Sequence, residues 1–357
     1  MVDSTRPVLA AGDEFVSEHV LVDAVREAVG GWQRLAFRTL HAPWPVEPFG
    51  PVGTVDEASG TEQDLLAALG DAEIAVTQMA PFTGRVIKEA PALKLISVCR
   101  GGPVNVDIAA ATEAGVAVSF APGRNAAAAA EFAVGLMLAA LRRIPAAAAE
   151  LKAGTWRGDY YSYPNAGLEL DGATVGLVGY GAIGSIVARV LRAFGATVLV
   201  ADPYTDPAKA DADGVRLVEL TELLRSSSVV SLHARLTSET RHLIDAEKLA
   251  QLPRGAVLVN SARGGLLDYA PLPELLRSGA LGALALDVYD VEPPPADWPL
   301  HHAPNVITTP HLAGATRQTA HRAAAIVAAD VARYLRGERP THLANPDVAV
   351  STFHGYS

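Results

Sequence analysis

Three residues able to move a proton and hold an anion stand just beyond apolar runs in the second half of this 357-residue sequence: Arg263, Glu292 and His311. Arg263 lies in Asn260-Ser261-Ala262-Arg263-Gly264-Gly265. Glu292 lies in Asp287-Val288-Tyr289-Asp290-Val291-Glu292-Pro293, and His311 in Thr309-Pro310-His311-Leu312-Ala313-Gly314. The planar donor fork of Arg263 can grip a carboxylate and the carbonyl beside it. His311 can give a proton to the oxygen that gains charge when a carbonyl is reduced, and take it back in the reverse direction. Glu292 can hydrogen-bond the other ring nitrogen, fixing the tautomer and favouring the charged ring. Taken singly, Arg263 and Glu292 could be solvated loop charges and His311 a satisfied core histidine. Their common placement after successive strand-like runs argues for chemistry, because open α/β sheets bind ligands beyond the carboxyl ends of their strands.

A second constellation precedes them. Gly179-Tyr180-Gly181-Ala182-Ile183-Gly184 follows the apolar run 175–178 and opens a helical pattern. In that setting Gly179 makes a tight turn, Gly181 lets backbone approach phosphate, and Gly184 lets helix and strand pack closely, with the helix N–H groups facing a pyrophosphate. The next run, 197–201, ends in Asp202 at the spacing of a ribose-binding carboxylate. A carboxylate there repels a 2′-phosphate, and Pro203 and Tyr204 supply no cation to offset it, so NAD is expected rather than NADP.

The elements that must carry these groups can be read from hydrophobic patterning. In the first part of the chain, strand-like runs at 7–11, 35–37, 73–77, 93–98 and 116–120 alternate with helical patterns such as 62–69. The alternation predicts a five-stranded parallel sheet with crossover helices. The proline-rich stretch 41–53 predicts a long surface loop. An alanine-dominated helix over 125–153 is expected to link two domains. Six further runs follow, at 174–178, 197–201, 229–232, 256–259, 283–287 and 306–308, the count of a dinucleotide-binding domain. A last helix is expected from 316 to 335, capped near Gly337 and returning to the first domain.

Composition limits the partners. Lys and Arg number 29 against 39 Asp and Glu, a net charge of −10, and no basic stripe suits a nucleic acid. The single cysteine, Cys99, can form neither an internal disulfide nor a cysteine metal cluster, so no metal is expected and the composition fits the cytoplasm. The N-terminus lacks a signal-like apolar core and the longest apolar run, 132–141, is too short to span a bilayer, so no membrane association is expected.

With these motifs in hand, the sequence resembles the D-isomer-specific 2-hydroxyacid dehydrogenases. The glycine loop with Asp202, the segments 260–268 and 287–293, and the 309–314 motif carry the resemblance. Weaker matches at 121–125, Glu131 and Trp156 extend it over most of the chain. It implies an α/β architecture of two doubly wound parallel-sheet domains, with a Rossmann NAD-binding domain (124–315) inserted into a flavodoxin-like substrate domain (1–123 and 316–357). It implies hydride transfer between NAD(H) and a 2-oxo acid/D-2-hydroxy acid pair, with Arg263, Glu292 and His311 as the catalytic residues. The cofactor residues implied are Gly179 to Gly184, Asp202, His233, Ala262, Asp287 as partner of the nicotinamide amide, and Gly314. A homodimer built on the cofactor domains is implied as well. One segment departs from the family: Cys99-Arg100-Gly101-Gly102-Pro103 is shorter than the usual glycine-containing substrate loop. There the amides of Gly101 and Gly102 are expected to form an anion nest for the substrate carboxylate, with Arg100 adding charge, although an outward salt bridge is an equal reading for Arg100. Tyr160-Tyr161-Ser162-Tyr163 is either a dimer surface or a cleft wall. A catalytically idle NAD-binding scaffold, or a corepressor-like protein of the same fold, is the alternative to an enzyme.

Overall fold

A computed structural model describes residues 5–348. The chain forms two compact units: the described residues of Met1–Asn125 and Ala315–Ser357 make one, and Ala126–Gly314 makes the other. The first unit contains β1 (Arg6–Gly12), α1 (Glu18–Val29), β2 (Leu35–His41), β3 (Gly50–Val52), β4 (Val55–Ala58), α2 (Glu62–Leu69), β5 (Ile74–Thr77), α3 (Gly84–Glu89), β6 (Leu95–Val98), α4 (Ile108–Glu113) and β7 (Ala117–Phe120). The second contains α5 (Ala126–Leu141), α6 (Ile144–Lys152), β8 (Thr174–Val178), α7 (Ala182–Ala193), β9 (Thr197–Ala201), α8 (Pro207–Asp213), β10 (Arg216–Leu217), α9 (Leu220–Ser226), β11 (Val229–Leu232), α10 (Ala246–Leu249), β12 (Ala256–Asn260), α11 (Leu272–Arg277), β13 (Leu281–Leu286) and β14 (Val306–Thr308). Helix α12 (Arg317–Leu335) returns to the first unit.

The first unit is a parallel five-stranded sheet in the order β2-β1-β5-β6-β7. Strand side chains alternate between its faces. Val8 and Ala10 of β1 pack with Leu21 and Val25 of α1 and Val327 and Val331 of α12. Leu9 and Ala11 instead join Leu65 of α2 and Val86 of α3. Burial on both faces explains why β5 and β6 are wholly apolar or small in character, as parallel sheets require. Helix ends follow local chemistry: Ser17 caps α1 by accepting the Val20 N–H, and Gly30 closes it in the left-handed conformation.

The second unit is a seven-stranded parallel sheet, β10-β9-β8-β11-β12-β13-β14. Val175 and Leu177 of β8 face Met137 of α5 and Val187 and Leu191 of α7. Val178, Val230 and Leu232 face Leu223, Leu249 and Leu272 on the other side.

Three expectations need correction. The helix over 125–153 is broken: α5 and α6 meet at a bend of 64°, with Arg143 in the left-handed conformation and a proline in the first turn of α6. Proline supplies no N–H and fixes its own φ, so it starts a helix more readily than it continues one. Nor does α5 act as a bare linker, since it packs on α7, β12 and β13. The proline-rich stretch 41–53 is not all loop, because β3 pairs antiparallel with β4. The cofactor-type sheet has a seventh strand, β10, whose two residues are too short a run to signal themselves. Among the described residues no single helix is long and apolar enough to cross a membrane.

Candidate active site

The carboxyl ends of β12, β13 and β14 carry the three groups singled out by chemistry. The His311 Nδ1 lies 2.8 Å from the Glu292 Oε2, and the other Glu292 oxygen accepts the Tyr289 N–H at 3.0 Å. Glu292 is therefore aimed by its own turn. His311 sits at φ +53°, a region that side chains with a Cβ seldom occupy. Asp287 accounts for this. Its fully buried carboxylate accepts the Thr309 hydroxyl at 2.7 Å and the N–H groups of Leu312 and Ala313 at 2.8 Å each. The Tyr289 hydroxyl donates to the Thr309 carbonyl at 2.8 Å. Backbone on both sides of His311 is thus pinned, and strain of this kind persists only where its surroundings enforce it.

Electrostatics follow from the contact. The Glu292 hydrogen bond raises the His311 imidazole above its ordinary value, against a smaller opposing effect of burial. Burial by itself would push the Glu292 carboxyl up, but the hydrogen bond and charge of His311, with smaller help from the Tyr289 N–H and Arg263, bring it below the usual carboxylate value. Arg263 acts on both groups, stabilising the carboxylate and opposing the imidazolium. It is exposed, and one guanidinium N–H reaches the Ala262 carbonyl at 2.6 Å. Its turn is held by Asn260, which donates to the Arg263 carbonyl at 2.9 Å and accepts the Ala262 N–H at 3.1 Å. Gly264 cannot be replaced there without conflict, since a Cβ would lie 1.9 Å from the Tyr289 backbone.

The glycine loop fits a dinucleotide. Gly179 has φ +98°, and a Cβ on it would come within 2.6 Å of the Ala234 nitrogen. On Gly184 a Cβ would lie 2.5 Å from the Gly179 carbonyl oxygen, whereas Gly181 has open space around it. Helix α7 begins at Ala182 and Ile183, and its N-terminus has no side-chain cap, leaving its N–H groups for an anion. The Asp202 carboxylate accepts the N–H of Tyr180 at 2.6 Å and of Tyr204 at 2.8 Å, one on each oxygen. A second lone pair on each oxygen remains for hydroxyls. Tyr180 directs its own hydroxyl to Asp213 at 2.9 Å. His233 follows β11 beside this loop. Burial pushes its imidazole down to about 4, so it is neutral at pH 7, and its Nε2 has no protein partner. That orphaned nitrogen is what a polar cofactor group would satisfy. Gly314 is the last residue of the unit and follows the Ala313 amide held by Asp287.

In the first unit, Arg100, Gly101 and Gly102 follow β6. Arg100 donates to Glu57 at 2.8 Å and contacts the Met79 sulfur at 2.8 Å, so the structure gives its guanidinium a salt bridge. Neither Gly101 nor Gly102 has a positive φ, so the left-handed half of an anion nest is not formed. The nest expected there is corrected accordingly.

Two positioning residues escaped the sequence reading. Asn260 and the Tyr289 hydroxyl sit inside motifs already singled out, and their signal was a polar group at a strand end where burial would demand a partner. Asp287, expected at the nicotinamide amide, is committed to three donors of the 309–313 segment.

Comparison with known proteins places the chain in a family. The family model for the D-isomer specific 2-hydroxyacid dehydrogenase NAD binding domain matches residues 134–313. The D-3-phosphoglycerate dehydrogenase of Methanocaldococcus jannaschii is 40% identical over 297 residues, which is 82% of this chain and 56% of that protein. The chain thus spans little more than half the length of such relatives. The glyoxylate reductase of Korarchaeum cryptofilum is 35% identical over 294 residues, covering 82% of this chain and 89% of that one. Among solved structures, the TT0316 protein of Thermus thermophilus superposes with a TM-score of 0.76 at 32% identity, over 95% of this chain and 99% of that chain. The glycine loop, its uncapped helix and the matched NAD-binding domain identify NAD as the cofactor of the second unit. On these grounds the chain belongs to the D-isomer specific 2-hydroxyacid dehydrogenase family.

Proposed function

We propose that this chain reduces a 2-oxo acid to the D-2-hydroxy acid and catalyses the reverse oxidation. The observation that carries the reading is the 2.8 Å contact between His311 and Glu292 beside Arg263. Bound NADH supplies the hydride to the carbonyl carbon. Arg263 holds the substrate carboxylate and carbonyl through its planar fork, countering the charge that builds on the oxygen. His311 donates its Nε2 proton to that oxygen, since Nδ1 is turned to Glu292. Glu292 favours the protonated ring and fixes which nitrogen faces the substrate. In oxidation His311 receives the proton from the hydroxyl, so that direction gains as pH rises. Asp287, Tyr289 and Asn260 hold the loops in place. Asp202 selects NAD by crowding a 2′-phosphate.

The relatives named glyoxylate reductase and D-3-phosphoglycerate dehydrogenase suggest glyoxylate as the first substrate to try. The reading also includes a homodimer through the NAD-binding unit. Helix α6 has no buried residue, although it carries Ile144 and Leu151, and Trp156, Tyr161 and Tyr163 nearby are 83%, 97% and 96% exposed. Apolar surface of this extent on one segment usually has a cover. The buried free thiol of Cys99 fits a reducing cytoplasm. The test is NADH and NADPH against a panel of 2-oxo acids, with product configuration read by chiral chromatography. NADH oxidation yielding a D-hydroxy acid supports the proposal. An L product or no turnover with any oxo acid refutes it. A solution mass equal to one chain refutes the dimer.

A further inference from the structure

Within the second unit, the segment 233–241 that follows β11 carries two arginines with different fates. Arg241 is paired with Asp290 at 3.2 Å. Arg235 is exposed and, among the described residues, its guanidinium has no hydrogen-bond or ion-pair partner. The charges on the other side of the glycine loop are spent on one another: Lys209 pairs with Asp213, which also accepts the Tyr180 hydroxyl at 2.9 Å, and Arg192 donates to the Asp213 carbonyl. The loop itself, Gly179 to Gly184, contains no charged side chain.

The backbone at Arg235 is held against that loop. Strand β11 lies beside β8, with Leu232 in register with Val178, and the His233 N–H donates to the Val178 carbonyl at 2.7 Å. A Cβ on Gly179 would come within 2.6 Å of the Ala234 nitrogen, and one on Gly184 within 3.7 Å of the His233 Cβ. His233 also brings its buried, unpartnered Nε2 to this place. Beyond Arg235 the chain is fixed again. The Thr240 hydroxyl donates to the Arg235 carbonyl at 2.7 Å and accepts the Thr237 N–H at 2.7 Å, while the Leu236 side chain lies 3.0 Å from where a Cβ on Gly265 would stand. A cation thus sits on restrained backbone with its donors unspent.

The strand order β9-β8-β11 says which part of the cofactor it meets. Asp202 ends β9 and marks the ribose, the glycine loop and the uncapped N-terminus of α7 follow β8 and mark the diphosphate, and Arg235 follows β11. Arg235 is therefore separated from the ribose carboxylate by the loop that cradles phosphate. The planar fork of an arginine matches phosphate oxygens, and in a chain of net charge −10 a free cation eases the approach of a dianion.

We propose that Arg235 is a cofactor-binding residue that pairs with the diphosphate of NAD(H), adding a charged contact to the backbone N–H groups of α7. The test is equilibrium binding to the full chain without substrate, so its outcome is independent of the oxo-acid reading. NADH is titrated by fluorescence, and ADP and adenosine are measured by displacing it. Arg235→Met should weaken NADH and ADP alike by about threefold to tenfold, the lower range for a charge-assisted hydrogen bond at an exposed site, and leave adenosine unchanged. The difference should shrink as salt is raised, because an exposed pair is screened. Arg235→Lys, which keeps the charge without the fork, should recover part of the loss. The exposed side chain predicts an unaltered melting temperature in both variants. Unchanged NADH affinity in Arg235→Met overturns the proposal. An equal loss for adenosine also overturns it, since the contact would then be to the nucleoside.

Discussion

Replacing Glu292 with Gln removes one charge and leaves the shape of the acid–base pair almost unchanged. Both groups facing this side chain are donors: the Tyr289 N–H at 3.0 Å and the His311 Nδ1 at 2.8 Å. A carboxylate can accept both, but an amide offers one acceptor and one donor, so Gln satisfies only one of them well. A charge-assisted hydrogen bond is worth about 1.5–3 kcal/mol, and one pH unit corresponds to about 1.4 kcal/mol. The His311 side chain is 51% exposed, so solvent screening favours the lower end of that range, and losing the contact lowers the imidazole from its raised position. The sign is fixed by the mechanism. Reduction requires protonated His311, whose pKa is raised in the wild type, so activity is lost only as pH climbs through that raised value. The variant should lose reduction at lower pH, while its oxidation gains ground near neutrality. The assay is the pH profile of kcat/KM for glyoxylate reduction by NADH in both proteins. An alkaline limb that stays in place would refute the argument, because Glu292 would then not control the histidine that limits the rate.

Three further outcomes are expected. Asp202→Ser should narrow the preference for NADH over NADPH by about tenfold or more, measured as the ratio of kcat/KM values, by removing the charge that crowds a 2′-phosphate. Gly184→Ala, whose Cβ would meet the Gly179 carbonyl at 2.5 Å, should cost roughly 1–3 kcal/mol and lower the melting temperature by several degrees, read by calorimetry. Asp287→Asn replaces an acceptor with a donor among three buried donors, so it should destabilise by about 1–3 kcal/mol and lower kcat more than NADH affinity. Wild-type kcat in that variant would show that the loop holds His311 without it.

The two sheets were legible because strands buried on both faces read as apolar runs whatever surrounds them, as in β5, β6 and β12. The break between α5 and α6 was hidden by alanines that suit a helix on either side of it, although Pro145 marked the spot. The β3–β4 hairpin was missed because Pro and Gly inside it signal turns more strongly than three residues can signal a strand. At the site, residue types and strand ends pointed to Arg263, Glu292 and His311, but a sequence holds no hydrogen bonds. It could not show that Asp287 spends its carboxylate on the 309–313 segment, or that Glu57 lies opposite Arg100 from 43 residues away.

The central claim is that His311 is the acid that completes reduction of a bound oxo acid. It is tested most directly by NADH oxidation with glyoxylate, comparing wild type and His311→Ala at NADH concentrations that saturate both by fluorescence. The account predicts steady turnover in the wild type and a rate about 10²- to 10⁴-fold lower in the variant, with NADH binding retained. Comparable rates in the two proteins would contradict it, as would a wild type that binds NADH and oxidises none.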